Sequence, residues 1–325
     1  MKGIAHFISG VAVASFCPWT IGAAQSGNPV FFILGAVAGI LPDTIDFKFY
    51  RFFYRYDVCV YPDSNKLDPQ TVADAIADAV SASASGKPVC LKLSTIKLSA
   101  DNWRQYRVKI DPDAGEVRVQ FGPVVSTGQV PQSDILPVNR PVAVAKFSAP
   151  VRQRYDSVYT VDIFDGPGFM FKRNESGVVE VDFLPWHRNW SHSFTVGALL
   201  AGLASLWTWQ AGVVVFGAYA VHIVEDQLGH MGANLFFPFT KNRSSGLKLM
   251  HSGDAFPNFG CVWLCCLFIF WNLYAAIPQP LYHFGFFRLM LCAVIIPFAV
   301  FGVVHWFLIR ADKGHPEILV TEWDM

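Results

Sequence analysis

The residues able to do chemistry gather at the ends of apolar segments. His6 opens the first segment, and Asp43 and Asp46 close the second in Leu41-Pro42-Asp43-Thr44-Ile45-Asp46. His187, Arg188 and His192 lead into the third, in Trp186-His187-Arg188-Asn189-Trp190-Ser191-His192-Ser193. His222, Glu225 and Asp226 lie in the last turns of the fourth, with His230 just beyond. His222 and Asp226 stand at i and i+4 and share a helix face. Asp43 and Asp46, at i and i+3, do the same if the helix persists past Pro42. Imidazole together with carboxylate is the ligand set of zinc or a similar divalent ion. Ionisable residues in membrane segments are costly and default to a functional reading. Asp43 also sits at the C-terminal end of its helix, where the dipole disfavours an anion and favours a cation nearby.

Each residue also has a bland reading. A single histidine at a helix end is more often an interfacial anchor than a ligand. His-x-x-x-Asp on one helix is a common chance pattern. Glu225 is expected to face away from His222, and to snorkel or hydrogen-bond. His283 and His305 have no acidic neighbour in sequence and read as interfacial. His251 lies in a loop, in Met250-His251-Ser252-Gly253-Asp254, and is a weak candidate. The 7 cysteines show no metal-binding spacing: five sit in apolar runs, while Cys59 and Cys90 fall in the polar middle. An odd count without paired spacing points to a reducing compartment around that middle.

The elements that must position these residues follow from composition. Of 325 residues, 53% are hydrophobic and only 15% charged, against about 25% charged in soluble domains. Lys+Arg 25 balances Asp+Glu 25, so no basic field marks a nucleic-acid-binding surface. Apolar residues concentrate in 4–24, 28–46, 193–209, 211–229, 259–277 and 286–309, each near the roughly 20 residues of a membrane span. The expected fold is mainly α: a polytopic membrane protein of about six helices with a soluble α+β insertion between helices 2 and 3. The expected divisions are 1–46 (helices 1 and 2), 47–186 (insertion), 187–309 (helices 3–6) and 310–325 (tail). The first segment could instead be a secretory signal ending at Gly22-Ala23-Ala24, but Pro18 and Trp19 interrupt its core and favour an uncleaved helix.

Alternation predicts strands in the insertion over 57–61, 87–93, 106–110, 116–121, 157–164 and 178–184, with a hairpin turn at Asp111-Pro112-Asp113-Ala114-Gly115. Residues 68–84 read as a helix with Asp68 as N-cap and Pro69 in its first turn. Six helices would put the termini, the insertion and the 229–258 loop on one side. That side carries Lys2, Lys48, Arg51, Arg55, Arg188, Lys241, Arg243, Lys248, Arg310 and Lys313, whereas the opposite turns near 24–28, 208–211 and 278–286 carry no Lys or Arg. The positive-inside bias therefore makes that side cytoplasmic. The helix ends bearing His6, Asp43, His192 and His222 would then meet at one depth.

Taken in order, these motifs resemble the LexA-regulated inner-membrane metal-dependent hydrolases of bacteria. The resemblance rests on His6, Pro42-Asp43-Thr44-Ile45-Asp46, His187 to Ser193, and His222-Ile223-Val224-Glu225-Asp226 with Phe237-Pro238-Phe239. It covers the first four helices and not the insertion. Two features depart from the family: it spaces the two Asp of helix 2 more closely or joins the helices by a short loop, where about 140 residues intervene here, and the stretch Gly229-His230-Met231-Gly232 differs from its usual loop. The family is itself distantly similar to zinc-dependent phospholipases C and single-strand nucleases. The resemblance implies a divalent metal, zinc or else manganese, held by Asp43, His192, His222 and Asp226. His6, Asp46 and His187 would complete that ion or hold a second one. Asp46 or Glu225 would act as base and Arg188 as a phosphate clamp. The expected substrate is a phosphoester or phosphodiester, either a phospholipid headgroup or a nucleotide. The partners are the bilayer and a protein recruited by the insertion. Two other classes compete: a divalent-metal or proton-coupled transporter, and a membrane anchor for a binding insertion.

Overall fold

The structure, a computed structural model, describes residues 1–128, 130–132, 141–153, 158–163 and 165–312. Two compact units emerge. One comprises Met1–Lys48 and Arg188–Met325, the other Phe49–His187.

The first unit is helical. It contains α1 (Gly3–Ser15), α2 (Pro18–Gln25), α3 (Val30–Phe53), then α5 (Phe194–Ser205), α6 (Trp209–Gln227) and α7 (Ala255–Ala275). After these come α8 (Phe286–Met290), a π-helical turn over Leu291–Ile295 and α9 (Ile296–Asp312). Helix α1 packs on α6 and α7, and α5 packs on α6. Small residues set these distances. A Cβ on Gly10 would fall 2.1 Å from the Gly35 carbonyl oxygen, and one on Gly39 would fall 2.4 Å from that of His6. Gly35-Ala36-Val37-Ala38-Gly39 is thus a small-xxx-small face that lets α1 and α3 touch backbone to backbone. Ala38, Ala201, Val215 and Ala218 form a buried cluster beside it.

Among the described residues, three helices are long and apolar enough to cross a membrane: Val30–Phe53, Ala255–Ala275 and Phe286–Phe307. The count becomes four if α1 and α2, bent by 90°, make one span. The expected six are thus not all matched by described helices of this length and composition. Pro18 starts a new helix in α2, so the first apolar run is broken. Helix α5 has 12 residues, which at about 1.5 Å per residue is far short of a roughly 30 Å hydrocarbon core. Helix α6 has 19 residues, but its C-terminal turns hold His222, Glu225 and Asp226. Apolar count alone did not register these breaks.

Among its described residues the second unit holds the helix α4 (Pro69–Ala84) and the strands β1 (Val58–Val60), β2 (Val89–Leu93), β3 (Ile96–Lys97), β4 (Asn102–Asp111), β5 (Glu116–Ser126), β6 (Pro131–Gln132), β7 (Val142–Lys146), β8 (Val151–Gln153), β9 (Tyr159–Val161), β10 (Gly168–Arg173) and β11 (Val179–Phe183). So many strands make "mainly α" too narrow a description of the chain. One sheet runs β1-β2-β10-β11-β8, and the other is β3-β4-β5-β6 with β7 on β5 and β9 on β4. Asp68 caps α4 by accepting from the Gln70 amide, with Pro69 in the first turn, which satisfies an otherwise orphaned donor. The helix buries Val72, Ile76 and Val80 against a core shared with Leu91, Val108, Val119 and Phe169. The hairpin β4–β5 pairs Asp111 with Glu116 across the expected turn. Positions 157 and 164 of the expected 157–164 strand, and positions 313–325 of the tail, lie outside the described residues.

An ion-pair knot sits in this unit. Tyr50 donates to Asp165 at 2.6 Å and receives from Lys92 at 2.7 Å, while Lys92 reaches Asp165 at 2.6 Å and Arg51 reaches it at 3.1 Å. Partial burial works to raise the Asp165 pKa, but hydrogen bonds from Lys92, Tyr50 and Arg51 hold it below the ordinary carboxylate value.

Candidate metal centre

Four elements of the helical unit aim imidazoles and carboxylates at one spot. The last turns of α6 bring His222 and Asp226. The segment before α5 brings His192, in a 3-10 turn over Trp190–His192. Helix α3 brings Asp43 and Asp46, because it runs through Pro42 without ending. Helix α1 brings His6, placed by the glycine contact with α3. His6, His192, His222 and Asp226 are all buried, the three histidines at 0% exposure.

Asp43, His192, His222 and Asp226 each offer a ligand atom, and these atoms all lie within 4.8 Å of one another. Nε2 of His192 is 3.4 Å from Asp43 Oδ1, 3.2 Å from Asp226 Oδ2 and 3.1 Å from His222 Nε2. His6 Nε2 is 3.3 Å from Asp226 Oδ1 and 3.9 Å from Asp43 Oδ2. Two of these atoms, His6 Nε2 and Asp226 Oδ2, are buried without a hydrogen-bond partner among the described residues.

The other nitrogen of each ring is held from behind. His6 Nδ1 lies 2.7 Å from Glu225 Oε2, His222 Nδ1 lies 2.7 Å from the Gly39 carbonyl oxygen, and His192 Nδ1 lies 3.2 Å from Asp46 Oδ2. A carbonyl or carboxylate oxygen only accepts, so Nδ1 of His6 and of His222 carries a hydrogen; His192 Nδ1 also lies 3.0 Å from the Ser191 hydroxyl, which donates to Asp46 and so accepts from the ring. In their neutral forms the rings then turn Nε2 inward, and with His192 and His222 Nε2 3.1 Å apart beside two carboxylates a cation among them is favourable. The donor chemistry and the orphaned atoms therefore fit a divalent ion, and the acceptors at Nδ1 are the supporting shell such sites carry.

Asp46 also accepts from the Arg188 amide at 2.8 Å and from the Ser191 hydroxyl. Asp43 and Asp46, one turn apart, thus address the two nitrogens of a single ring. Arg188 has φ +56°, a conformation that costs a non-glycine residue about 1–2 kcal/mol. It is kept there by the bond to Asp46, by Asn234 donating to its carbonyl at 3.0 Å, and by its own guanidinium on Asp226 at 2.8 Å. The Met1 nitrogen also reaches Asp226 Oδ1, at 3.0 Å.

Glu225 meets His6 and not His222, which a helical wheel drawn for α6 alone could not reveal. His187 closes the insertion unit, buried, with its ring 5.8 Å from that of Trp186. His230 and His251 stack on each other at 4.2 Å, and His251 lies in an exposed loop. His305 stacks on Phe256 at 5.7 Å, and His283 is exposed. Sequence reasoning missed Gly39, Ser191 and Tyr219, whose hydroxyl donates to the Ser191 carbonyl. Only Gly39 left a signal, as half of Gly-x-x-x-Gly.

A family model described as YdjM inner membrane protein matches residues 159–301. The matched stretch includes His187, Arg188, His192, His222, Glu225 and Asp226, and leaves out His6, Asp43 and Asp46. No curated protein and no solved structure matches the chain. Together with the long apolar helices, the family match supports an inner-membrane protein.

Proposed function

We propose that the protein is a membrane-embedded metal-dependent hydrolase acting on a phosphoester or phosphodiester at the cytoplasmic face of the membrane. One observation carries this reading: three histidines share a pattern, with Nδ1 tied to an oxygen acceptor and Nε2 turned toward Asp43 and Asp226. Asp43, His192, His222 and Asp226 would hold the ion, and their mix of nitrogen and oxygen donors suits zinc, with manganese the next choice. When bound, such an ion supplies Lewis acidity, acidifying a water and offsetting charge on the attacked ester oxygen.

The chain's own residues do the rest. Asp46 and the Gly39 carbonyl fix the tautomers of His192 and His222. His6 borders the four-donor group without belonging to it, and its Nε2 has no hydrogen-bond partner among the described residues. It takes the proton of the attacking water at Nε2, while Glu225 steadies the resulting imidazolium at Nδ1. Arg188 Nε is also buried without a hydrogen-bond partner among the described residues, leaving a donor for a phosphoryl oxygen beside the guanidinium charge. Asp46 and Glu225 are positioning residues in this scheme.

The test is hydrolysis of bis(p-nitrophenyl) phosphate by the purified, zinc-loaded protein. Turnover that chelation abolishes and His6→Ala reduces supports the reading. No turnover with zinc or manganese would refute it.

A further inference from the structure

A cavity of about 1110 Å³ opens within the helical unit, between α1, α6, α7 and α9. It stands at the top of the roughly 300–1,000 Å³ range of small-molecule pockets. Its walls are apolar: Val13 and Phe16 from α1, Leu264 and Phe268 from α7, Phe298 from α9. Ser9, Glu225, Asp254 and His305 line it too. Of these, Glu225 touches the metal cluster, at His6. On the apolar lining, Phe268 of α7 is 47% exposed. Helix α7 and the α8–α9 segment are two of the three helices long enough to cross a bilayer.

We propose that this cavity holds the acyl chain of a membrane phospholipid whose phosphate group reaches the His/Asp cluster. The inference rests on the hydrolase reading for its chemistry and narrows the substrate to a lipid. The amphiphile and the space match in chemistry: apolar walls for the chain, Glu225 beside the cluster on the headgroup's side, and exposed Phe268 on a helix long enough to cross a membrane for lateral entry. Every wall residue named here lies in the same compact unit as the cluster.

The experiment uses full-length protein in nanodiscs containing phosphatidylglycerol with a photoreactive diazirine near the end of one acyl chain. Crosslinked peptides are mapped by mass spectrometry. Crosslinking needs no turnover, so it reads the cavity independently of catalysis, while bis(p-nitrophenyl) phosphate hydrolysis reads the hydrolase alone. Label concentrated on the peptides carrying Val13–Phe16 and Leu264–Phe268 is expected. It should fall about tenfold in Leu264→Trp, which fills the space, with bound metal unchanged. Val13→Phe is the second variant if Leu264→Trp does not fold. Cavity label without diester hydrolysis would keep the lipid site and end the hydrolase reading. Label spread evenly over the lipid-facing helices and indifferent to both substitutions would overturn the lipid site, even if the soluble diester is hydrolysed.

Discussion

Gly39→Ala is the sharpest perturbation of the account, because it adds one methyl group at the point where two of the three histidines are set. The new Cβ would lie 2.4 Å from the His6 carbonyl oxygen and 3.0 Å from Gly10 Cα. Both obstacles are backbone, so no side chain can swing aside. Restoring ordinary contact means moving α1 from α3 by roughly 1 Å, an overpacking strain on the order of 1–3 kcal/mol. His6, the base in the proposed scheme, rides on α1 and shifts with it, which costs turnover and not zinc. Gly39 also supplies the carbonyl that holds His222 Nδ1 at 2.7 Å, so any shift of α3 turns a second ring. Losses of supporting contacts at metal sites cost about 10–100-fold in affinity. The expected result is a zinc affinity lower by about that factor, measured by chelator competition in detergent. Gly22→Ala is the control, since nothing lies within 4 Å of its added Cβ. A Gly39→Ala protein that binds zinc like the parent would refute the argument that glycine contact positions the site.

Other expectations follow from the same contacts. His6→Ala should lower phosphodiester turnover by about 10²–10⁴-fold while zinc stays bound, and Glu225→Gln should show a smaller loss of the same kind. If zinc leaves with the activity, His6 is a ligand and not the base. In the insertion, the Asp165 pKa is held below its ordinary value, so its stabilisation is complete above the unfolded carboxylate pKa of about 4. It fades as pH falls through the lower folded value. Asp165→Asn should therefore melt earlier than the parent at pH 7, with the gap closing in acid. Melting curves at both pH values check this, and a constant gap contradicts it. Asp68→Ala should cost α4 about 1 kcal/mol by leaving the Gln70 amide uncapped, read as a lower melting temperature of the insertion.

How far the sequence carried the reading depended on the range of the interaction. Local devices were legible. Asp68-Pro69 marked the start of α4, alternation marked β4 and β5 with the turn between them, and i to i+4 spacing put His222 and Asp226 on one face. Strand β10 was not legible, because Gly168, Phe169 and Phe171 are buried in a short apolar run without clear alternation. The span count failed where composition hides a break, at Pro18 and after Ser205. At the site, residue types revealed the candidates but not their partners. That Glu225 pairs with His6 depends on α1 crossing α6. That the Gly39 backbone serves His222 depends on α3 approaching α6. Backbone acceptors carry no residue identity, so no reading of side-chain types could find them.

The most direct test of the central claim is the metal content of the protein purified in detergent, by elemental analysis, beside the His222→Ala/Asp226→Ala double variant. Stoichiometric zinc or manganese is expected in the parent and its loss in the variant. No bound metal in the parent after loading, or equal metal in both proteins, would contradict it.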